Sequence, residues 1–116
     1  MTQQDRPAGS KGERVRLGPA LSVPAGALAD ICQRYHVREL AVFGSALRDD
    51  FGTESDLDVL VEFAPGAPIG LIELSRLQRE LSALVGRQVD VVPKAGLKEA
   101  IRQEVLAQAE VVYAAA

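Results

Sequence analysis

The sequence contains no tryptophan, one cysteine, one histidine and few aromatic residues of any kind. Its lone Cys32 excludes an intramolecular disulfide and a cysteine-based metal site. Set among apolar residues at helical spacing, that thiol reads as a buried helix residue rather than a reactive one. His36 has no partner pattern around it and is expected to close a helix or pack by its tip. No apolar run reaches the length of a membrane-spanning helix. The polar N-terminus lacks an apolar core followed by a cleavage site, so it does not resemble a secretory signal, and the cytoplasm is the expected location. Positive charge is not in excess either. Against 13 lysines and arginines stand 16 aspartates and glutamates, and a formal charge of −3 argues against non-specific nucleic-acid binding. A small phosphate ligand carried with magnesium stays compatible with that charge. At 116 residues the chain supports one domain with a modest core.

What the chain does have is concentrated in residues 43–63, FGSALRDDFGTESDLDVLVEF. A Gly-Ser turn is followed by two aspartates at alternate positions entering an apolar run. If Leu57–Phe63 is a strand, its two-residue side-chain period puts Asp56 and Asp58 on one face. Carboxylates held that way repel each other unless a cation lies between them, and magnesium suits oxygen ligands completed by substrate phosphates. The competing reading is an edge strand or turn with solvated acids, since the same alternation describes any half-buried strand. Gly44 permits tight geometry, and the amides that follow it, with the Ser45 hydroxyl, can face an anion; Gly-Ser is equally an ordinary turn signal. Arg48 either contacts phosphates or pairs with Asp49, Asp50 or Glu54. Glu62 shares the parity of the two aspartates but lies about 13 Å along from Asp58, too far for a shared metal, and is assigned to a rim or salt bridge.

Around this stretch the pattern predicts alternating helices and strands. Residues 1–20 read as a flexible leader and residues 21–116 as the folded domain. A first helix, starting near Ser22 or Pro24, presents Leu28, Ile31, Cys32 and Tyr35. Val37–Phe43 is a first strand, and residues 64–70 form a Pro/Gly-rich linker. Leu71, Leu74, Leu77, Leu81 and Leu84 make the clearest helical stripe, read as core and stopped by Gly86. QVDVV at residues 88–92 is a short strand in which Asp90 stands between valines. Either it joins the site of Asp56 and Asp58, or it points from the exposed face of an edge strand. Residues 97–109 predict a last helix with Leu97, Ala100, Ile101, Val105 and Leu106 on one side. Residues 111–113 read as a short strand or an extended tail, with Tyr113 as core, interface or modified residue.

In this order, FGSALRDD, SDLDVLVEF and GRQVDVV resemble the minimal nucleotidyltransferase domain of the DNA polymerase beta-like superfamily, over residues from about 24 to 113. The resemblance implies an α/β (α+β) nucleotidyltransferase fold, a small mixed sheet with helices packed on one face and the acids on the other side. It assigns Asp56 and Asp58 as the metal pair, Asp90 as the third carboxylate and base, and Gly44, Ser45 and Arg48 to the nucleotide's phosphates. Magnesium is the implied cofactor and ATP the nucleotide substrate. The family commonly has glycine directly after that arginine; here Asp49 stands there, which bears on loop shape and phosphate affinity but leaves the carboxylates intact. Proteins resembling this one at this size often act as antitoxins beside a HEPN ribonuclease toxin, transferring AMP from ATP to a tyrosine of that toxin. The implied partner is therefore a HEPN toxin protein, in an oligomer or hetero-oligomer, with no direct nucleic-acid or membrane contact. Rival readings are an antitoxin that neutralises its toxin by binding alone, a small-molecule nucleotidyltransferase, and a structural domain that binds magnesium without ATP.

Overall fold

The computed structural model describes residues 13–19, 21–44 and 56–115. In chain order these form β1 (Arg14–Gly18), β2 (Leu21–Pro24), α1 (Ala25–Arg34), β3 (Val37–Phe43), β4 (Leu57–Phe63), α2 (Leu71–Val85), β5 (Val89–Pro93), a short 3-10 turn (Lys94–Gly96), α3 (Glu99–Gln108) and β6 (Glu110–Ala114). A four-stranded sheet has the order β5-β4-β3-β6, and β1 and β2 make a separate two-stranded ribbon. β3 runs antiparallel to both β4 and β6, whereas β4 and β5 are parallel, joined through α2. The sheet is therefore mixed, as the resemblance implies.

The alternation of side chains along β3 and β4 separates two faces. Val42 lies opposite Val59 and Leu40 opposite Val61, and directly opposed residues of an antiparallel pair share a face. These four side chains are buried with Leu28, Ile31 and Cys32 of α1 and Leu77 and Leu81 of α2 in one continuous core. The β-branched residues of β3 and β4 suit a strand covered on that side. On the other face Phe43 stands opposite Asp58, Ala41 opposite Leu60, and Glu39 opposite Glu62. Two glutamates in direct opposition repel. Lys94, just after β5, bridges them, its Nζ 3.5 Å from Glu62 Oε1 and 3.8 Å from Glu39 Oε1. Glu62 is thus the salt-bridge residue expected at the far end of β4.

Helix ends follow local chemistry. The Glu73 carboxylate accepts the Gly70 amide at 2.8 Å at the start of α2, a hydrogen bond that holds its pKa below the usual carboxylate range. Gly86, at φ +83, ends the helix in the left-handed region, as the sequence predicts. Between α1 and α2 a polar clamp forms that periodicity did not disclose. Arg34 reaches Glu80 through Nη2 at 2.7 Å and Nη1 at 3.1 Å, and the Tyr35 hydroxyl donates to the same carboxylate. Arg34, and then Tyr35, hold the Glu80 carboxyl below its ordinary range.

Three differences from expectation have physical causes. The last residues assigned to the leader, Arg14–Gly18, form β1, which pairs with β2 and delivers Leu17 into the core beside Val23. The alternation in RVRLG is too short to announce a strand without its partner. Residues 1–12 lie outside the described residues. In the leucine stripe, Leu77 and Leu81 are buried but Leu71 is 82% exposed, because it stands at the first position of α2, ahead of the turns that pack into the core. The pattern predicted for the last helix yields α3 as a helix with no buried residue, Ile101 and Leu106 being exposed. α3 is tied instead to the 3-10 turn that follows β5, by Arg102, whose Nη1 donates to the Lys94 carbonyl at 3.3 Å. β6 forms as an edge strand, with Tyr113 partly buried against the core. No described helix is long and apolar enough to cross a membrane.

Candidate active site

The face turned away from α1 and α2 carries the acids, and register explains why. Leu57, Val59 and Val61 of β4, with Val89 and Val91 of β5, point into the core. The two-residue period then turns Asp58 and Asp90 outward, and both are half-buried. In the parallel β4–β5 ladder Asp58 and Asp90 are direct partners. Neighbouring strands lie about 4.8 Å apart, so the two side chains rise side by side. Asp90 is at once an edge-strand residue and the in-register neighbour of Asp58.

Asp56 lies just before β4 and is exposed. Among the described residues no group of three or more acidic, histidine or cysteine side chains gathers closely enough to hold a metal ion. What the structure brings together is the pair Asp58 and Asp90, with Asp56 two residues upstream of one of them. The donor set is hard carboxylate oxygen, which suits magnesium rather than a soft metal. Two side-by-side carboxylates with substrate oxygens to complete the shell fit that ion.

Gly44 completes the described part of the site. It follows Phe43, which faces Asp58 across the β3–β4 ladder, and its φ is +73. A Cβ built on Gly44 would lie 2.7 Å from Asp58 Oδ2. Gly44 is therefore required twice over, by a left-handed backbone and by the close approach of a carboxylate. Sequence reasoning assigned this glycine to phosphate and missed its contact with Asp58. The signal was present, since an acid two residues into the next strand can meet a glycine just past the end of its antiparallel partner. Only the register, however, shows that it does. Ser45, Arg48, Asp49 and Asp50 lie outside the described residues, which resume at Asp56.

The remaining reactive side chains are not part of this site. Burial pushes the Cys32 thiol up to about 12, leaving it an inert core residue, as expected. His36, exposed, turns the chain from α1 into β3 at φ +59, the one non-glycine residue with positive φ among those described.

The nucleotidyltransferase domain family model matches residues 26–112. A protein adenylyltransferase, MntA, of Thermococcus cleftensis is 42% identical over 84 residues, 72% of this chain and 81% of the relative. A solved structure provisionally described as a minimal nucleotidyltransferase superposes with a TM-score of 0.63 at 36% identity, over 73% of this chain and 85% of that one. An AMPylated Shewanella oneidensis HEPN toxin in complex with an MNT antitoxin matches with a TM-score of 0.55 at 16% identity, over 78% and 69% of the two chains, and so shares the fold.

Proposed function

Because this chain belongs to the nucleotidyltransferase domain family, we propose that it transfers AMP from ATP to a tyrosine hydroxyl of a HEPN toxin in the cytoplasm, and so acts as that toxin's antitoxin. The observation that carries this reading is the in-register pair Asp58 and Asp90 beside the glycine at the end of β3. The relative named for protein adenylylation and the HEPN–MNT complex support a HEPN toxin as the acceptor protein.

In the reaction the acceptor oxygen forms a bond to the α-phosphorus of ATP. The bond from that phosphorus to the α–β bridging oxygen breaks, and pyrophosphate leaves. The hydroxyl proton passes to a carboxylate, a role we assign to Asp90, which stands in register with Asp58 on the face turned away from α1 and α2. The pair Asp58 and Asp90, with Asp56 just upstream assigned to the same ion, would hold magnesium, which when bound neutralises charge on the phosphate oxygens and helps to ionise the hydroxyl. Gly44 and Ser45 begin the turn assigned to the phosphates, and Arg48 is assigned to the same group. Orientation and charge stabilisation supply most of the acceleration in such a reaction.

The test is incubation with magnesium, α-labelled ATP and a HEPN toxin encoded beside it, wild type against an Asp56/Asp58 double substitution. Label is expected on a toxin tyrosine with wild type only. Transfer that persists in the double variant sinks the assignment of those acids, and toxin neutralised without label indicates inhibition by contact.

A further inference from the structure

Among the described residues β5 is an edge strand, paired only with β4. The Leu57 amide donates to the Gln88 carbonyl at 2.9 Å, so backbone groups of the even-numbered residues of β5 turn toward β4. Those of Val89 and Val91 turn outward, where no described strand meets them, although both residues are buried. Two side chains of α2 take those amides. The Val89 amide donates to Ser82 Oγ at 3.0 Å, and the Val91 amide donates to Gln78 Oε1 at 3.0 Å. Gln78 and Ser82 are four residues apart, one helical turn, which matches the two-residue step between outward amides of a strand. The residue between those amides is Asp90.

We propose that Gln78 and Ser82 are positioning residues for Asp90: together they splint the edge of β5 and fix the carboxylate beside Asp58. The inference rests on the nucleotidyltransferase reading of that pair. An edge strand paired on one side only has freedom to fray or shift, and a shift would carry Asp90 away from its partner on β4. Hydrophobic packing of Val89 and Val91 resists movement across the core but does little against sliding along α2. Directional hydrogen bonds from a rigid helix supply the missing constraint. Both side chains hold backbone amides on either side of Asp90, so their effect on catalysis passes through the strand.

The test uses the full chain with Gln78→Leu and Ser82→Ala, which remove the acceptors, and Ser82→Thr, which retains one. Tyr35→Phe serves as a control, because it loosens the tie to Glu80 on the same helix without touching β5. Amide hydrogen exchange is read at Val89 and Val91, manganese binding by water-proton relaxation with ATP present, and AMP transfer against magnesium concentration. Gln78→Leu and Ser82→Ala should speed exchange at Val91 and Val89 respectively. Each should raise the half-saturating metal concentration about tenfold, the lower end of effects seen when support for a metal ligand is removed. Ser82→Thr should restore wild-type metal response, and Tyr35→Phe should leave it unchanged even where melting falls. Unaltered metal binding in Gln78→Leu and Ser82→Ala, or an equal shift in Tyr35→Phe, overturns the proposal. If Gln78→Leu fails to fold, the serine pair decides. If wild type binds manganese but labels no acceptor, the transfer reading fails while the binding series still decides the splint. A wild type that holds no manganese overturns both.

Discussion

Replacing Gly44 with alanine separates two demands that the structure places on one backbone position. The first is conformational: at φ +73 an L-residue pays about 1–2 kcal/mol of steric strain. The second is local: the added Cβ falls 2.7 Å from Asp58 Oδ2, where ordinary contact begins at 3.4 Å. The carboxylate must withdraw by roughly 0.7 Å to restore normal van der Waals separation. Displacements on the order of 1 Å at a reacting centre cost about a hundredfold in rate. Gly44→Ala should therefore lose about 1–2 kcal/mol of stability, lowering Tm by several degrees, and about a hundredfold or more in AMP transfer. Gly86→Ala provides the matched comparison, because Gly86 sits at φ +83 with nothing within 4 Å of the position its Cβ would take. It should show a similar fall in Tm, by thermal melting followed by circular dichroism, with transfer close to wild type. If Gly44→Ala melts like Gly86→Ala and still turns over like wild type, the close approach to Asp58 has no functional consequence and the reasoning fails.

Asp90→Asn should abolish transfer while raising metal-free stability by about 1 kcal/mol or less, since it removes one of two adjacent negative charges; melting in chelator and in magnesium with ATP checks both. His36→Gly should raise Tm by a few degrees, about 1 kcal/mol, because an exposed side chain at φ +59 is exchanged for a residue that adopts that backbone freely; chemical denaturation would contradict this if the midpoint fell. Glu80→Gln should reveal a pH-dependent contribution. A carboxylate whose folded pKa is depressed stabilises the fold above its unfolded value of about 4.3, and that share is lost as pH falls through the lower folded value. Urea unfolding should therefore separate variant from wild type at pH 7 and show the two converging in acid; a gap that stays constant with pH would refute it.

Much of the architecture was legible because single patterns sufficed. Val37–Phe43 and Leu57–Phe63 are largely apolar segments rich in β-branched and aromatic residues, and they form strands with those bounds. Gly86 marks the end of α2 because only its left-handed backbone is needed there. The outward parity of Asp58 likewise follows from the two-residue period alone. Other features depend on pairings that one segment cannot disclose. The match of Asp58 with Asp90 requires the crossover through α2 to set the register of β5. The approach of Gly44 to Asp58 requires the β3–β4 register. In α3, periodicity gave a helix, but Ile101 and Leu106 remain exposed because an apolar stripe specifies a face and not its partner. The Arg34–Glu80–Tyr35 clamp joins residues 46 and 45 positions apart, a distance over which charge pattern carries no local signal.

The β1–β2 ribbon bears on how this domain can be handled. The family match begins at residue 26, downstream of both strands, yet Leu17 and Val23 are interior side chains and the Ala25 amide donates to the Glu13 carbonyl at 3.0 Å. A version trimmed to the recognised homology boundary would open the underside of the helices to water and invite self-association. Affinity tags and fusion junctions therefore belong upstream of Glu13, and a trimmed chain that precipitates would be reporting a missing part of its own interior.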